Sequence, residues 1–184
     1  MKIFKFGGAS IKDAAGVKNI IQILQSEGIE NTVVVISAMG KITNAFEEVI
    51  DAYYHKTDKL SEKLGNVEDF HKNLMHGLFD KNDAIYKEID ILLGELSWFL
   101  ARNTSQRFNY VYDQIICFGE LLSTKIVSAY LTKTGIENNW FDVRNYIKTD
   151  SNYRDAKVDW VLTQEIISTK LDASKLNITQ GFIA

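Results

Sequence analysis

The chain has 184 residues, of which 46% are apolar and 24% charged, and its formal net charge is −3. This length predicts one globular domain with a well-buried core, and the nearly balanced charge argues against nucleic acid as a partner. The longest apolar runs are far shorter than the roughly 20 residues of a membrane helix, so no membrane contact is expected. The single cysteine, Cys117, excludes an internal disulfide and suits a reducing cytoplasm, where we expect the protein to reside.

The first forty residues have the pattern of a strand–helix–strand unit. Lys2–Phe6 is a short apolar run that stops at Gly7 and Gly8, and apolar residues then recur at helical spacing over residues 12–25. Thr32–Ile36 is rich in β-branched residues without polar alternation, which is typical of a parallel strand covered on both faces. Ligands of such units bind at the carboxyl ends of the strands, so the residues that follow these two strands are candidates for a binding site.

A long helical stretch comes next, and strand patterns return after it. Residues from 43 to about 131 are compatible with helix almost throughout. The predicted helices cover residues 45–54, 67–79, 83–102, 109–131 and 158–171, and the later predicted strands cover 137–143, 146–148 and 177–184. This order predicts an α/β fold, a mostly parallel sheet sandwiched by helices, without an internal domain boundary. Because the chain ends in a predicted core strand, we expect it to be part of a longer domain.

Lys5 lies between apolar neighbours in the first predicted strand. An ammonium group in a sheet covered on both faces costs several kcal/mol unless an anion pairs with it. Together with the backbone N–H groups of Gly7 and Gly8 and the hydroxyl of Ser10, Lys5 would form a cradle for a phosphate or carboxylate. The alternative is an ordinary glycine turn beside a solvated lysine, and the segment by itself favours neither interpretation. The nucleotide-binding patterns GxxxxGK[ST] and GxGxxG do not occur in the chain.

Two further segments carry polar residues at positions where a ligand could bind. Ser37–Asn44 follows the second strand and begins a predicted helix, whose N-terminus attracts anions, so Ser37 and Thr43 are candidate substrate-binding residues. The alternative is that Thr43 or Asn44 is simply a helix N-cap. Glu120 interrupts the most apolar part of the helical stretch. A buried carboxylate needs a cation or hydrogen-bond donors, which a substrate ammonium group would supply, whereas the alternative is a glutamate that reaches solvent.

Arg144 and Asp150 each follow one of the short predicted strands after the helical stretch. Arginine binds carboxylates through two parallel hydrogen bonds, so Arg144 is a candidate clamp for a substrate carboxylate. The alternative is a weak surface ion pair between Arg144 and Asp150. His55, His71 and His76 lack metal-ligand spacing, and we predict no metal site in these residues.

Six short segments occur in the order found in one enzyme family. They are residues 5–10 (KFGGAS), 37–44 (SAMGKITN), 118–123 (FGELLS), 141–144 (FDVR), 149–150 (TD) and 180–183 (QGFI). Together they make the chain resemble the N-terminal part of aspartate kinases, which have the amino-acid-kinase fold, over its whole length except the divergent helical middle. Ala9 departs from the family, which usually has threonine there, so one hydroxyl group near the phosphates is missing.

The resemblance implies transfer of the γ-phosphoryl group of ATP to the β-carboxylate of L-aspartate, the first step toward lysine, threonine and methionine. It also implies that Lys5 neutralises charge on the transferred group while Gly7, Gly8 and Ser10 bind the phosphates, which is catalysis by positioning and electrostatics. ATP with Mg²⁺ would be required by the full-length enzyme, which we expect to be a homo-oligomer.

The same resemblance implies the residues that hold L-aspartate. Thr43, with Ser37 as a neighbour, matches a family residue near the substrate carboxylate. Glu120 matches the partner of the amino group, and Arg144 matches the clamp on the α-carboxylate. Asp150, which ends one of the six segments, is placed with these substrate-binding residues.

The family's nucleotide-binding segments and regulatory ACT domains follow the last of the six segments and do not occur in these residues. We therefore expect residues 1–184 to be the amino-acid-binding lobe of a longer kinase, with a helical excursion at about 43–131. This lobe alone is expected to be inactive and to bind no cofactor. Two alternatives stay open: another enzyme of the same fold, such as a glutamate or acetylglutamate kinase, and a non-catalytic amino-acid-binding module.

Overall fold

A parallel β-sheet forms the centre of the computed structural model, which describes residues 1–181. Its strands are β1 (Lys2–Phe6), β2 (Thr32–Ile36), β3 (Asn139–Trp140) and β4 (Asn177–Gln180). They lie in the order β1-β2-β4-β3, and each neighbouring pair is parallel. Phe6, Ile36 and Gln180 are in register at the carboxyl ends of three strands. The segments that follow these strands therefore leave the sheet at one edge.

Residues 1–181 also contain seven α-helices. They are α1 (Ala14–Glu27), α2 (Ile42–Tyr54), α3 (Leu60–His76), α4 (Ile85–Arg102), α5 (Phe108–Ile116), α6 (Phe118–Lys133) and α7 (Trp160–Lys170). Two short 3₁₀ turns, Gly8–Ile11 and Val143–Asn145, follow β1 and β3. Helices α2 to α6 fill the chain between β2 and β3, which confirms the long helical stretch and the α/β fold class.

The sequence explains where α1 begins and ends. Asp13 is its N-cap, and the carboxylate accepts a hydrogen bond from the N–H of Gly16 at 2.8 Å. The apolar residues at helical spacing face the core and are buried, as predicted: Val17, Ile20, Ile21 and Leu24. Gly28 ends the helix with a φ of +80°, a conformation that costs glycine little and other residues more.

One face of the sheet is buried, and the other is exposed over β1. Val34, Ile36 and Ile178 are completely buried on the face that meets α6, where Gln180 hydrogen-bonds to Thr124. Side chains alternate between faces along a strand, so Ile3 and Lys5 share the opposite face, and Ile3 is 68% exposed. Within residues 1–181 this second face is therefore exposed at β1, whereas Val33 and Val35 of β2 are half-buried.

Several predicted boundaries differ from the structure. The predicted strand over residues 137–143 is reduced to Asn139–Trp140, because the Asp142 side chain caps the 3₁₀ turn by accepting the N–H of Arg144. Residues 146–148 form no strand, and an isolated antiparallel bridge joins Thr149 and Val158 instead. The last predicted strand is described as Asn177–Gln180, and residues 182–184 lie outside the described part.

The predicted helix over residues 109–131 is divided at Cys117 into α5 and α6. The combined stretch Phe108–Lys133 is long and apolar enough to cross a membrane, but 72% of its most apolar window is buried inside the protein. The stretch therefore forms a pair of core helices, α5 and α6. Helix α6 contacts α2, α4 and α5 on its sides and three strands of the sheet, so its residues 118–124 are buried all round.

Replacement of two helical glycines by alanine is expected to change the free energy of unfolding in opposite directions. A Cβ atom at Gly16 would lie 2.4 Å from the backbone oxygen of Ser10, whereas a Cβ at Gly65 in α3 would meet nothing within 4 Å. We expect Gly16→Ala to lower the free energy of unfolding by about 1–3 kcal/mol through overpacking. We expect Gly65→Ala to raise it by up to about 1 kcal/mol, since alanine is the better helix former. Urea denaturation measures both, and equal signs for the two variants would contradict this account.

Candidate functional site

Two glycine-containing turns meet at the carboxyl ends of β1 and β2. The first turn is residues 7–10, and the second turn lies within residues 37–44. The N–H of Gly40 donates a hydrogen bond to the carbonyl oxygen of Gly8 at 2.9 Å. A Cβ atom at Gly8 would lie 2.6 Å from the carbonyl oxygen of Ala38, which is closer than a real side chain could approach. Glycine is required at position 8 because the two backbones touch. The prediction that both turns lie at one edge of the sheet is confirmed.

The first turn exposes the groups predicted to bind phosphate. Gly7 and Ser10 are exposed, and a Cβ atom at Gly7 would meet nothing within 4 Å. The turn continues as a 3₁₀ helix in which the N–H of Ser10 donates to the carbonyl oxygen of Gly7 at 2.9 Å. An approaching anion would therefore reach the backbone at Gly7 without obstruction.

Lys5 is exposed on the open face of the sheet, in register with Val35 and Thr179. Of the two interpretations left open above, this is the solvated lysine on an edge strand, since Ile3 on the same face is also exposed. Within residues 1–181 its ammonium group makes no ion pair. The charge is solvated, so burial of Lys5 supplies no argument for a bound anion.

Glu120 is buried in the first turn of α6, with 5% of its surface exposed. Its Oε2 accepts a hydrogen bond from the N–H of Gly181, the residue after β4, at 2.8 Å. Its main-chain carbonyl accepts the hydroxyl groups of Ser123 at 3.1 Å and Thr124 at 2.7 Å. The prediction of a buried carboxylate is confirmed, and the alternative of a glutamate that reaches solvent is wrong.

Ser37 and Thr43 lie on the second turn in different settings. The carbonyl oxygen of Ser37 accepts the hydroxyl of Ser123 at 2.8 Å, which attaches this turn to α6 beside Glu120. Thr43 is exposed in the first turn of α2. Lys41 is the N-cap of that helix, so the alternative that Thr43 or Asn44 caps it is wrong. The Thr43 hydroxyl lies at a helix N-terminus, where the backbone carries partial positive charge.

Arg144 makes its ion pair with Asp142. Nε and Nη2 of the guanidinium lie 2.9 Å and 2.6 Å from the carboxylate oxygens of Asp142, and these hydrogen bonds raise the pKa of Arg144 above its usual value. The carboxylate of Asp150 instead accepts the N–H groups of Asn152 and Lys157 in its own turn. The alternative of an Arg144–Asp150 ion pair is therefore wrong.

The third guanidinium nitrogen of Arg144, Nη1, points toward the Cys117 Sγ at 3.7 Å. Here Arg144 lines an open groove of about 450 Å³ together with Glu95, Trp98 and Gln114. The groove lies against α4, and Ser37, Thr43 and Glu120 are not among its lining residues. The structure thus brings Gly8, Ser37 and Glu120 together and places Arg144 toward α4, with Asp150 in a separate turn.

Four polar residues around Glu120 were not predicted as site residues from the sequence: Ser123, Thr124, Trp140 and Gln180. Each makes a side-chain hydrogen bond that ties α6 to the sheet or to the second turn. Ser123, Thr124 and Gln180 are buried. Their sequence signal is a hydroxyl or amide side chain inside an otherwise apolar segment. Such side chains, when buried, almost always have hydrogen-bond partners.

Cys117 and His71, which by residue type are candidate metal ligands or nucleophiles, are both buried. Residues 1–181 contain no group of three or more His, Cys, Asp or Glu side chains that could hold a metal ion. Burial raises the pKa of the Cys117 thiol to about 11, so it stays protonated at neutral pH and is a poor nucleophile. His71 is completely buried, its Nδ1 lies 2.7 Å from the Val67 carbonyl oxygen, and burial lowers its pKa to about 4.

Several known proteins that are similar to this chain belong to one family. A model of the amino acid kinase family matches residues 1–184. Lysine-sensitive aspartokinase 3 of Escherichia coli is 27% identical over 98% of this chain. Bifunctional aspartokinase/homoserine dehydrogenase 2 of Arabidopsis thaliana is 27% identical over 99% of it. The chain spans only 40% of the length of the first relative and 21% of the second.

A solved structure agrees with the sequence relatives. The crystal structure of E. coli aspartokinase III in complex with aspartate and ADP matches with a TM-score of 0.85 and 27% identity. The match covers 99% of this chain and 40% of that one. The resemblance to aspartate kinases and their fold, predicted from the six segments, is confirmed.

The buried His71 predicts a pH dependence of stability. Its pKa is about 4 in the folded protein against 6.5 for the free side chain, so between these values the unfolded chain binds a proton that the folded chain does not. We expect the free energy of unfolding to fall by roughly 3 kcal/mol as the pH drops through this window. Urea denaturation between pH 4 and 7 measures the effect against His71→Leu, which should show a shallower slope. Equal slopes would contradict the prediction.

Proposed function

The chain belongs to the amino acid kinase family, and on this premise we propose that it is the amino-acid-binding portion of an aspartate kinase. The complete enzyme would use ATP to phosphorylate the β-carboxylate of L-aspartate, giving 4-phospho-L-aspartate. The relatives described above are aspartokinases, and the matching crystal structure contains aspartate and ADP. The observation that carries the proposal is the buried carboxylate of Glu120 beside the converging ends of β1, β2 and β4.

Glu120 is proposed to bind the α-ammonium group of L-aspartate. In surroundings of low dielectric constant, a charge interacts with an opposite charge more strongly than it does in water. The Gly181 N–H holds one carboxylate oxygen at 2.8 Å, so the orientation of the carboxylate is set before a substrate arrives. Preorganisation of this kind lowers the entropy cost of binding.

Ser37 and Thr43 are proposed to bind the carboxylate end of the substrate. Thr43 presents its hydroxyl at the N-terminus of α2, where the helix dipole favours negative charge. Ser37 stands at the start of the same turn, which Ser123 attaches to the Glu120 end of α6. A molecule with one ammonium and two carboxylate groups matches this distribution of charge.

Lys5, Gly7, Gly8 and Ser10 are proposed to act on the phosphates of ATP. The N–H groups of the first turn would position the phosphates, and the Lys5 ammonium would neutralise charge that develops on the transferred phosphoryl group. Mg²⁺ commonly accompanies ATP in phosphoryl transfer. The acidic side chains of residues 1–181 do not gather into a metal site, so we assign no Mg²⁺ ligand within this part of the chain.

Arg144 is proposed to contact the α-carboxylate through Nη1, the nitrogen that Asp142 does not hold. Nε and one N–H of Nη2 are already paired with Asp142, so a second two-pronged contact would use Nη1 together with the other N–H of Nη2. Asp150 is proposed to act indirectly, since its carboxylate holds the 150–157 turn. Arg144 could bind the substrate carboxylate, or it could only stabilise its own loop through Asp142. Experiment can separate these two roles.

A calorimetric titration of the 184-residue chain with L-aspartate tests the proposal. We expect binding that Glu120→Gln weakens at least about tenfold, because the variant keeps the shape and loses the charge. Glu165→Gln, at an exposed position in α7, is the control and should bind as the unaltered chain does. Tighter binding of L-glutamate or N-acetylglutamate would indicate another enzyme of the fold, and no binding of any of the three would contradict the proposal.

A matched pair of variants tests Arg144. If its guanidinium contacts the substrate, Arg144→Ala should weaken L-aspartate binding about tenfold. Asp142→Asn, which releases the guanidinium from its competing carboxylate, should leave the affinity equal or higher. Calorimetry gives the affinities and thermal denaturation gives the stabilities. If both variants lose the same amount of stability and keep the affinity for L-aspartate of the unaltered chain, Arg144 only stabilises the loop.

A further inference from the structure

The side chain of Thr124, in the second turn of α6, is completely buried and joins three parts of the fold. Its Oγ1 lies 2.7 Å from the carbonyl oxygen of Glu120 in the preceding turn. The same Oγ1 lies 2.8 Å from Nε2 of Gln180 at the end of β4 and 2.9 Å from Nε1 of Trp140 in β3. One hydroxyl group therefore connects α6 with two strands of the sheet.

The direction of each hydrogen bond around Thr124 is determined. The main-chain N–H of Val143 can only donate, so the side-chain oxygen of Gln180, 2.8 Å away, must accept. The amide nitrogen of Gln180 and the indole nitrogen of Trp140 can only donate, so Thr124 accepts from both. Its own proton is then donated within α6, to the Glu120 carbonyl oxygen at 2.7 Å, with the Leu121 carbonyl oxygen as the more distant acceptor at 3.2 Å. The hydroxyl uses its one donor and both acceptor positions, and a fully satisfied buried network of this kind is rigid.

The end of β4 holds Glu120 at two points. Gln180 holds its main chain through the Thr124 hydroxyl. The next residue, Gly181, donates its N–H to the Glu120 carboxylate at 2.8 Å. Since Gln180 and Gly181 are covalently joined, a displacement of one moves the other, and the carboxylate would move with them.

We propose that Thr124 and Gln180 are positioning residues, which hold the Glu120 carboxylate where the ammonium group of an amino-acid substrate meets it. This inference rests on the proposed function, because Glu120 is the residue through which both would act. Neither side chain has to touch the substrate. Their effect is to keep α6, the end of β4 and the 3₁₀ turn that begins at Val143 in one relative position.

Valine at position 124 separates this role from packing. It nearly matches threonine in shape, but it cannot accept the N–H groups of Gln180 and Trp140, so both lose their acceptor and the Gln180 N–H is left buried without one. The end of β4 would have to move for these groups to find acceptors, and the Gly181 N–H would leave the Glu120 carboxylate. Serine keeps the hydroxyl and should keep the arrangement.

The test combines hydrogen exchange with substrate binding in the 184-residue chain. In Thr124→Val without ligand, we expect the Gly181 amide proton to exchange at least about tenfold faster by NMR, and L-aspartate to bind about tenfold more weakly by calorimetry. Thr124→Ser should stay within about twofold of the unaltered chain in both measurements. The matched control is Thr132→Val, because Thr132 is exposed on the same helix and its hydroxyl bonds the carbonyl of Ser128, four residues earlier. It should change neither measurement.

The two readouts keep this inference separate from the proposed function. Unchanged exchange at Gly181 in Thr124→Val overturns the inference, whether or not a ligand binds. Faster exchange with unaltered L-aspartate affinity also overturns it, because the network would then support the fold without acting on the substrate. If the unaltered chain does not bind L-aspartate, the proposed function fails, and the exchange measurement alone decides whether Thr124 positions Glu120.

Discussion

The buried carboxylate of Glu120 governs how the surrounding segments are arranged. A charge removed from water is costly unless donors surround it, and here the N–H of Gly181 supplies one of them. Glu120 also stands in the first turn of α6, where unpaired N–H groups and the helix dipole favour a negative charge. These demands require the end of β4 to lie against the start of α6. The candidate binding site is therefore built from the same contacts that hold the central helix to the sheet.

Local patterns predicted the parts of the fold that depend on neighbouring residues. The strand–turn–helix start and the two glycine turns follow from spacing within a few residues. The hydrogen bonds of Thr124 could not be predicted this way, since Gln180 and Trp140 are 56 and 16 residues distant in sequence. Whether Lys5 is buried or solvated stayed open for a related reason: an apolar strand does not reveal which of its faces another segment will cover.

Arg144 shows how a local contact can prevail over a predicted distant one. Asp142, two residues before it, caps the 3₁₀ turn through one oxygen and holds the guanidinium with both. Such short-range side-chain contacts compete with extended structure, which also explains why β3 is only two residues long. The divergent helical middle also reaches the site through α3. A Cβ atom at Gly40, in the second turn, would lie 3.5 Å from the Phe70 ring of that helix.

The open position of β1 has a consequence for how copies of this chain behave toward one another. In the sheet formed by residues 1–181, β1 is an edge strand, and edge strands with bare backbone groups invite pairing with a second molecule. Charged residues, lysine above all, discourage such strand addition. Lys2 and Lys5 are both exposed on β1. The ammonium group proposed to serve phosphoryl transfer would thus also protect the protein against aggregation.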